Sequence, residues 1–88
     1  MKLDIVVERL SRHAQRATYA AVGGVVGRIA IAVMHGRPKN HENSWVVAQN
    51  KKGEPTGFTA EERDPRFPGQ GEPINTADGL RQWLDAHE

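Results

Sequence analysis

The stretch that decides the fold is residues 18–36, which read TYAAVGGVVGRIAIAVMHG. Thr18 is a favourable N-cap for a helix that continues to Val26, and Gly27 is a typical helix stop. A further helix is expected over Ile29–His35, ended by the glycine that follows it. Two short helices joined by a turn that contains glycine predict a helix-turn-helix.

The sequence on either side of this motif completes the predicted domain. Apolar residues recur at helical spacing over residues 4–15. Strand-forming residues at 45–48, turn residues at 50–53 and a return strand at 56–58 predict a β-hairpin. Thr76 caps a last helix over residues 77–87. The predicted fold is therefore α+β and winged helix-turn-helix-like, with three N-terminal helices, a β-hairpin wing and a C-terminal helix.

The 88 residues are expected to form a single domain, 1–88, because a chain of this length buries only one small core. Thr59 and Glu62 have the spacing of a capping box for one helical turn. Residues 66–75 contain prolines and glycines and predict a loop, within a probable inserted segment at residues 60–77. The carboxylates of this segment are expected on a solvated surface, and the segment is a candidate for binding a protein partner.

Composition excludes several classes of site. The chain has no cysteine, so disulfides, thiolate zinc sites and thiol nucleophiles are excluded. No two of its four histidines have the spacing of a zinc-binding helix, and no nucleophile lies beside a base. We therefore expect no enzyme activity, no metal and no cofactor. The absence of a long apolar run and of a signal-peptide pattern predicts a cytoplasmic protein with no membrane partner.

Charge is distributed unevenly along the chain. Residues 1–52 carry nine Lys and Arg against three Asp and Glu, a net charge of +6, whereas residues 53–88 carry three against eight, a net charge of −5. Glu42 is the only acid between residues 9 and 53. This asymmetry favours binding of a polyanion by one face, although a basic surface kept for solubility is the simpler alternative.

Three stretches resemble the methylated-DNA–protein cysteine methyltransferases. Thr18-Tyr19, Gly27 and residues 30–33 are similar to the family's "TYG…G…ARAVG" segment. Val46-Val47 with residues 53–58 resembles its "HRVV…DG.L.GY", and residues 79–88 resemble its final "GL..K.WLLAHE". The resemblance covers nearly the whole chain in the family's order. It implies a winged helix-turn-helix that flips a guanine from double-stranded DNA into a pocket.

The sequence departs from that family at the reacting centre. Asn43-Ser44-Trp45 stands where the family has its "PCHR" cysteine and histidine, so alkyl transfer is excluded. Ile31 replaces the arginine that the family inserts beside the flipped base, and Glu88 matches a relay glutamate that here has nothing to activate. The chain is therefore most similar to the cysteine-less alkyltransferase-like proteins, which bind alkylated DNA without repairing it.

The resemblance and the charge asymmetry together predict a non-enzymatic binder of double-stranded DNA, with alkylated guanine as the candidate lesion. Tyr19 either contacts a phosphate, as the resemblance implies, or covers the helix-turn-helix core. Trp45 and Phe58 either border a base pocket or pack the hairpin. A winged-helix protein–protein interaction module that has lost DNA binding is the alternative function. The candidate DNA-binding residues are Thr18, Tyr19, Arg28, Ile31, His35, Arg37, Lys39, Ser44, Trp45, Lys51, Lys52 and Phe58.

Overall fold

The chain folds around a short central strand. The structure is a computed structural model that describes residues 1–49 and 53–88. Its helices and strands, in chain order, are α1 (Leu3–His13), β1 (Gln15–Thr18), α2 (Tyr19–Val26), β2 (Val46–Val47), β3 (Gln70–Ile74) and α3 (Ala77–Ala86), with 3-10 turns at Ala30–Ala32 and Glu42–Trp45. The expected α+β class is therefore confirmed.

The sheet has the order β2-β1-β3, and both pairs are parallel. Ala17 of β1 is in register with Val46 on one side and Ile74 on the other. All four residues of β1 are buried. Parallel neighbours cannot be joined by a tight turn, so the chain must cross over between strands. The crossover from β1 to β2 contains α2 and the segment that carries most of the candidate site.

The core forms where α1 packs against β1 and the second 3-10 turn and where α3 packs against α2. The apolar stripe predicted for the first helix is buried, as is the Leu80 and Leu84 side of α3. Trp83 is only partly buried and packs against the core edge. The buried hydrophobic residues are Leu3, Val6, Val7, Leu10, Ala14, Ala17, Ala21, Val22, Val33, Trp45, Val46, Val47, Leu80 and Leu84.

The local helix signals are confirmed. The hydroxyl of Thr18 accepts a hydrogen bond from the Ala21 N–H at 3.2 Å, and α2 ends at Gly27 in a left-handed conformation with φ 80°. The hydroxyl of Thr76 accepts from the Gly79 N–H at 3.0 Å and starts α3. These signals act between residues close in sequence, which is why the sequence alone locates them.

The predicted third N-terminal helix is wrong. The structure has a single 3-10 turn at Ala30–Ala32 and a series of turns up to Gly36 in place of a helix over residues 29–35. A seven-residue helix is too short to be stable without packing, and its β-branched residues lower helix propensity further. Only Val33 of this segment is buried, so little packing is available to stabilise a regular helix.

The β-hairpin wing is also not matched in the described residues. β2 contains only Val46–Val47 and pairs with β1, while residues 56–57 form a turn. One backbone bond, from the Ala48 N–H to the Glu54 carbonyl at 3.0 Å, joins the two sides of the expected hairpin. Lys51 and Lys52, predicted at its tip, lie outside the described residues.

The region predicted as a loop within residues 60–77 contains the third strand. β3 spans Gln70–Ile74 and pairs with β1, although its sequence includes Gly71 and Pro73. The proline is tolerated because β3 is an edge strand and has a partner on one side only. The capping box that precedes it is confirmed: the Thr59 N–H donates to Glu62 Oε1 at 2.8 Å, and the Glu62 N–H donates to the Thr59 hydroxyl at 3.3 Å.

A close approach between Gly69 and Ala14 places β3 beside β1. Ala14 ends α1 in a left-handed conformation with φ 52°, and its carbonyl accepts the Gln70 N–H at 2.8 Å. A Cβ at Gly69 would lie 2.0 Å from that carbonyl oxygen and 2.8 Å from the Trp45 ring. Gly69 itself has φ +72°, so this position requires glycine for both space and conformation.

We predict that Gly69→Ala destabilises the protein by more than about 3 kcal/mol, because it adds a backbone clash to the cost of a left-handed alanine. Gly71→Ala is the matched control: it also has positive φ, at +47°, but a Cβ there meets nothing within 4 Å. This control should cost about 1–2 kcal/mol. Urea unfolding measures both values, and equal losses would contradict the role assigned to Gly69.

Candidate functional site

The most exposed apolar side chains of the described protein lie on the segment that leaves α2 and enters the first 3-10 turn. Ile29 is 70% exposed and Ile31 is 89% exposed. The segment begins where Gly27 ends α2 and the Arg28 N–H donates to the Gly23 carbonyl at 2.9 Å. We call residues 28–31 the ridge. Its large apolar side chains face solvent, which is unusual for a small domain with few residues to fill a core.

An apolar groove of about 440 Å³ lies beside the ridge. The Tyr19 ring packs against the core cluster, and its hydroxyl accepts a hydrogen bond from the Thr56 N–H at 3.0 Å. A hydroxyl that accepts one bond still carries a proton to donate. Both interpretations of Tyr19 are thus compatible with its position. The groove is lined by Tyr19, Ala30, Ile31, Met34, His35 and Thr56.

Lys39 and Phe58 lie next to this groove. A smaller cavity of about 50 Å³ is lined by both residues and shares Tyr19 and Met34 with the groove. The Lys39 ammonium is 5.8 Å from the centroid of the Phe58 ring, within the range of a cation–π contact. The structure therefore brings Lys39 and Phe58 to the same side of the molecule as Tyr19.

Arg37 is held in place on this surface by two side chains. Its Nη1 donates to Asp4 Oδ1 at 2.6 Å, and its Nε donates to Asn43 Oδ1 at 2.9 Å. Asn43 is buried and donates in turn to the Pro38 carbonyl at 2.9 Å. Asn43 thus orients the arginine, a role that its position in the sequence does not reveal.

Three of the predicted DNA-binding residues are buried. Thr18 is the cap of α2, and Ser44 and Trp45 have no exposed surface. The Ser44 hydroxyl donates to the His41 carbonyl at 2.7 Å and accepts from the Asp64 N–H at 3.1 Å. Trp45 packs against Phe67, with ring centroids 5.4 Å apart. None of the three reaches the molecular surface, and Ser44 and Trp45 instead belong to the core.

An ion pair covers this buried tryptophan. Arg66 donates to both carboxylate oxygens of Asp64, with Nε–Oδ1 at 3.0 Å and Nη2–Oδ2 at 2.8 Å. Its guanidinium carbon is 5.5 Å from the Trp45 ring centroid. The expectation that the acids of this segment are solvated is wrong for Asp64, which is 8% exposed. Hydrogen bonds from Arg66 lower the pKa of Asp64 from 3.8 to about 2, against the opposing effect of burial.

Arg16 is a buried basic residue that sequence reasoning missed. Its Nη1 donates to the Gly53 carbonyl at 3.2 Å and its Nη2 to the Gly71 carbonyl at 2.7 Å. The guanidinium also lies over the Phe67 ring, 5.7 Å from its centroid. Arg16 thus connects β1 to β3 and to the residue that follows the undescribed segment 50–52. Nothing in its sequence neighbourhood distinguishes it from a surface arginine.

The described residues contain no cluster of three His, Asp or Glu side chains suited to a metal ion. In residues 1–49 and 53–88, no helix is both long enough and apolar enough to cross a membrane. No family model, no curated protein and no solved structure matches the chain. Any assignment of function therefore rests on the surface just described and on the motifs quoted above.

We predict that Asp64→Asn lowers the free energy of unfolding by about 1–2 kcal/mol near pH 7. Because the folded carboxyl titrates near 2 and its ordinary value is 3.8, the pair stabilises the fold fully above about pH 4, and this contribution is lost as pH falls through about 2. Urea unfolding of wild type and variant should therefore give curves that converge on acidification. Asp78→Asn, which breaks the exposed pair with Arg81, should cost under about 0.5 kcal/mol. A difference for Asp64→Asn that does not change with pH would contradict the ion pair.

Proposed function

We propose that the protein binds duplex DNA through the ridge and the groove beside it, without catalysing a reaction. The observation that carries the proposal is Ile31, which is 89% exposed and three residues from Arg28 on the same protruding segment. Proteins that bind the minor groove insert apolar side chains between base steps while arginine and lysine hold the backbone. An isoleucine beside an arginine, on a segment free of acids, has the chemistry for both contacts.

The charge around the ridge supports the same proposal. The described residues 1–49 contain seven Lys and Arg but only three Asp and Glu. Arg28, Lys39 and His35 are exposed on or beside the ridge. Cationic side chains distributed around a protruding element can reach phosphates on both sides of a groove. Lys51 and Lys52 remain predicted phosphate contacts outside the described residues.

The apolar groove supports recognition of an altered base. An O6-alkyl group is apolar, and the groove beside Ile31 is lined mainly by apolar atoms of Ala30, Met34 and Tyr19. Asn43 and Ser44, which stand where the resembled family reacts, are buried and hydrogen bonded. A base in this groove would therefore be held and not modified, as in the alkyltransferase-like proteins that the sequence resembles.

A protein–protein interaction module is the competing proposal. Its support is the exposure of Ile29 together with Ile31, because adjacent exposed apolar side chains also mark protein interfaces. The 60–77 segment contributes less to this alternative than its composition suggests, since Gln70–Ile74 is part of the sheet. Recovery of one stoichiometric protein partner, together with no affinity for duplex DNA, would favour this module.

We predict salt-sensitive binding to duplex DNA, with preference for a duplex that contains one 6-O-methylguanine over the same duplex without it. The logarithm of the association constant should fall with the logarithm of salt concentration, at about −0.9 per phosphate neutralised. Fluorescence anisotropy of the two labelled duplexes across a salt series measures both effects. Equal, salt-sensitive affinities would mean that the protein binds DNA in general and that the groove does not recognise the lesion. No binding to either duplex would contradict the proposal.

We predict that Ile31→Ala weakens DNA binding about tenfold or more, because it removes about 2 kcal/mol of apolar burial at a base step. Ile5→Ala is the matched control, since Ile5 is also an exposed isoleucine, 41% accessible, but lies on α1. The control should bind like wild type, and both variants should remain as stable as wild type to within about 0.5 kcal/mol. Equal affinities for the two variants would contradict insertion of Ile31 between base steps.

A further inference from the structure

A second cavity borders the ridge at Arg28 and is polar where the groove is apolar. Its volume is about 450 Å³, and it is lined by the first residues of the chain, by Val26 at the end of α2, and by Arg37. Four of its lining side chains are charged: Lys2, Asp4, Arg28 and Arg37. Three cations and one carboxylate give this cleft a net charge of +2. We call it the basic cleft.

The basic cleft already holds one anionic group. Asp4 Oδ1 accepts from Arg37 Nη1 at 2.6 Å, although the Asp4 side chain is 84% exposed. The hydrogen bond and charge of Arg37 lower the pKa of Asp4, and the charges of Lys2 and Arg28 lower it further. All three cations therefore act on the same carboxylate. In the described part of the chain, neither Lys2 nor Arg28 has an ion-pair partner of its own.

Arg37 is preorganised for anion binding. Its Nε donates to the side-chain Oδ1 of the buried Asn43 at 2.9 Å, and the Arg37 side chain is 21% exposed. A guanidinium held by a buried partner loses little further freedom when it binds an anion. Arg37 forms charge-assisted hydrogen bonds through a planar array of donors, which suits phosphate oxygens.

We propose that the basic cleft is a phosphate subsite, in which Lys2, Arg28 and Arg37 hold one phosphate group and Asp4 competes with it as an internal anion. A carboxylate has two oxygens in one plane, whereas a phosphate presents oxygens in several directions and can serve three cations at once. The inference rests on the proposed function, because the phosphate is taken to belong to the DNA strand that passes the ridge. It adds Lys2, which precedes α1, to the interface.

The test compares two pairs of variants by anisotropy with a labelled unmodified duplex across a salt series. Asp4→Asn removes the competing anion and frees Arg37, so it should tighten binding about five- to tenfold near 0.1 M salt and steepen the salt slope by about one. Glu8→Gln is its control: it removes the same charge from α1 and frees Arg12, its partner at 3.2 Å, away from the cleft. This control should change affinity less than about twofold.

Lys2→Gln removes a cation from the cleft, whereas Asp4→Asn removes its anion. It should weaken binding about five- to tenfold and reduce the salt slope by about one, because one phosphate contact is lost. Arg12→Gln, on the helix that follows Lys2 but outside the cleft, is its control and should leave the slope unchanged. Circular dichroism of each variant checks that α1 is intact, so a change in affinity is not a change in folding.

A further measurement distinguishes a DNA phosphate from free phosphate. Inorganic phosphate is added to the protein, and its ³¹P NMR line width reports binding. If wild type broadens the phosphate signal and Lys2→Gln does not, while neither protein binds duplex, the cleft is a site for free phosphate and the DNA proposal fails. If wild type binds duplex with a steep salt slope but Asp4→Asn behaves like Glu8→Gln, the subsite is overturned and the DNA proposal stands. If wild type affects neither probe, both are overturned.

Discussion

The parallel pairing of β1 with both of its neighbours is the constraint on which the rest of the structure depends. β1 is four residues long and fully buried, and its last residue, Thr18, is also the cap of α2. The direction of β1 therefore sets the direction of α2, and the end of α2 at Gly27 sets where the ridge leaves the core. Arg16, on the same strand, donates hydrogen bonds to the carbonyl oxygens of Gly71 in β3 and of Gly53. A surface defined by 3-10 turns and loops is thus positioned by one short strand.

The second 3-10 turn, Glu42–Trp45, is mostly buried and so cannot form part of a binding surface. Trp45 fills the core, and the Ser44 hydroxyl bonds to the His41 carbonyl of its own turn and to the Asp64 N–H. Arg66, paired with Asp64, lies over the Trp45 ring. The residues that would form a reaction centre in the resembled family are here part of the packing. Opening a pocket at this position would expose a tryptophan and unpair a buried carboxylate, which is costly. The ridge, the groove and the basic cleft are therefore the better candidates for a ligand-binding surface.

The sequence predicts the features whose causes are local. The caps at Thr18 and Thr76, the stop at Gly27 and the capping box at Thr59 depend on residues within four positions of one another, and the structure confirms them. β1 and β3 were not predicted, because parallel partners are distant in sequence and neither strand is rich in β-branched residues. The sequence also identifies the ridge residues and the basic residues near them, and it gives packing as one of two roles for Trp45. It does not reveal the buried roles of Ser44, Asp64 and Arg16. Burial of polar residues depends on tertiary partners that no local pattern encodes.

We propose that the ridge, residues 28–31, and the groove beside it form the surface that binds duplex DNA. Titration of the ¹⁵N-labelled protein with an unlabelled duplex, followed by ¹H–¹⁵N correlation NMR, tests it most directly. We expect the largest amide shifts in residues 28–37 and at Tyr19 and Thr56, while α3 and residues 60–67 stay unchanged. Shifts confined to α3 or to residues 60–67, or no shifts at saturating duplex, would contradict the account.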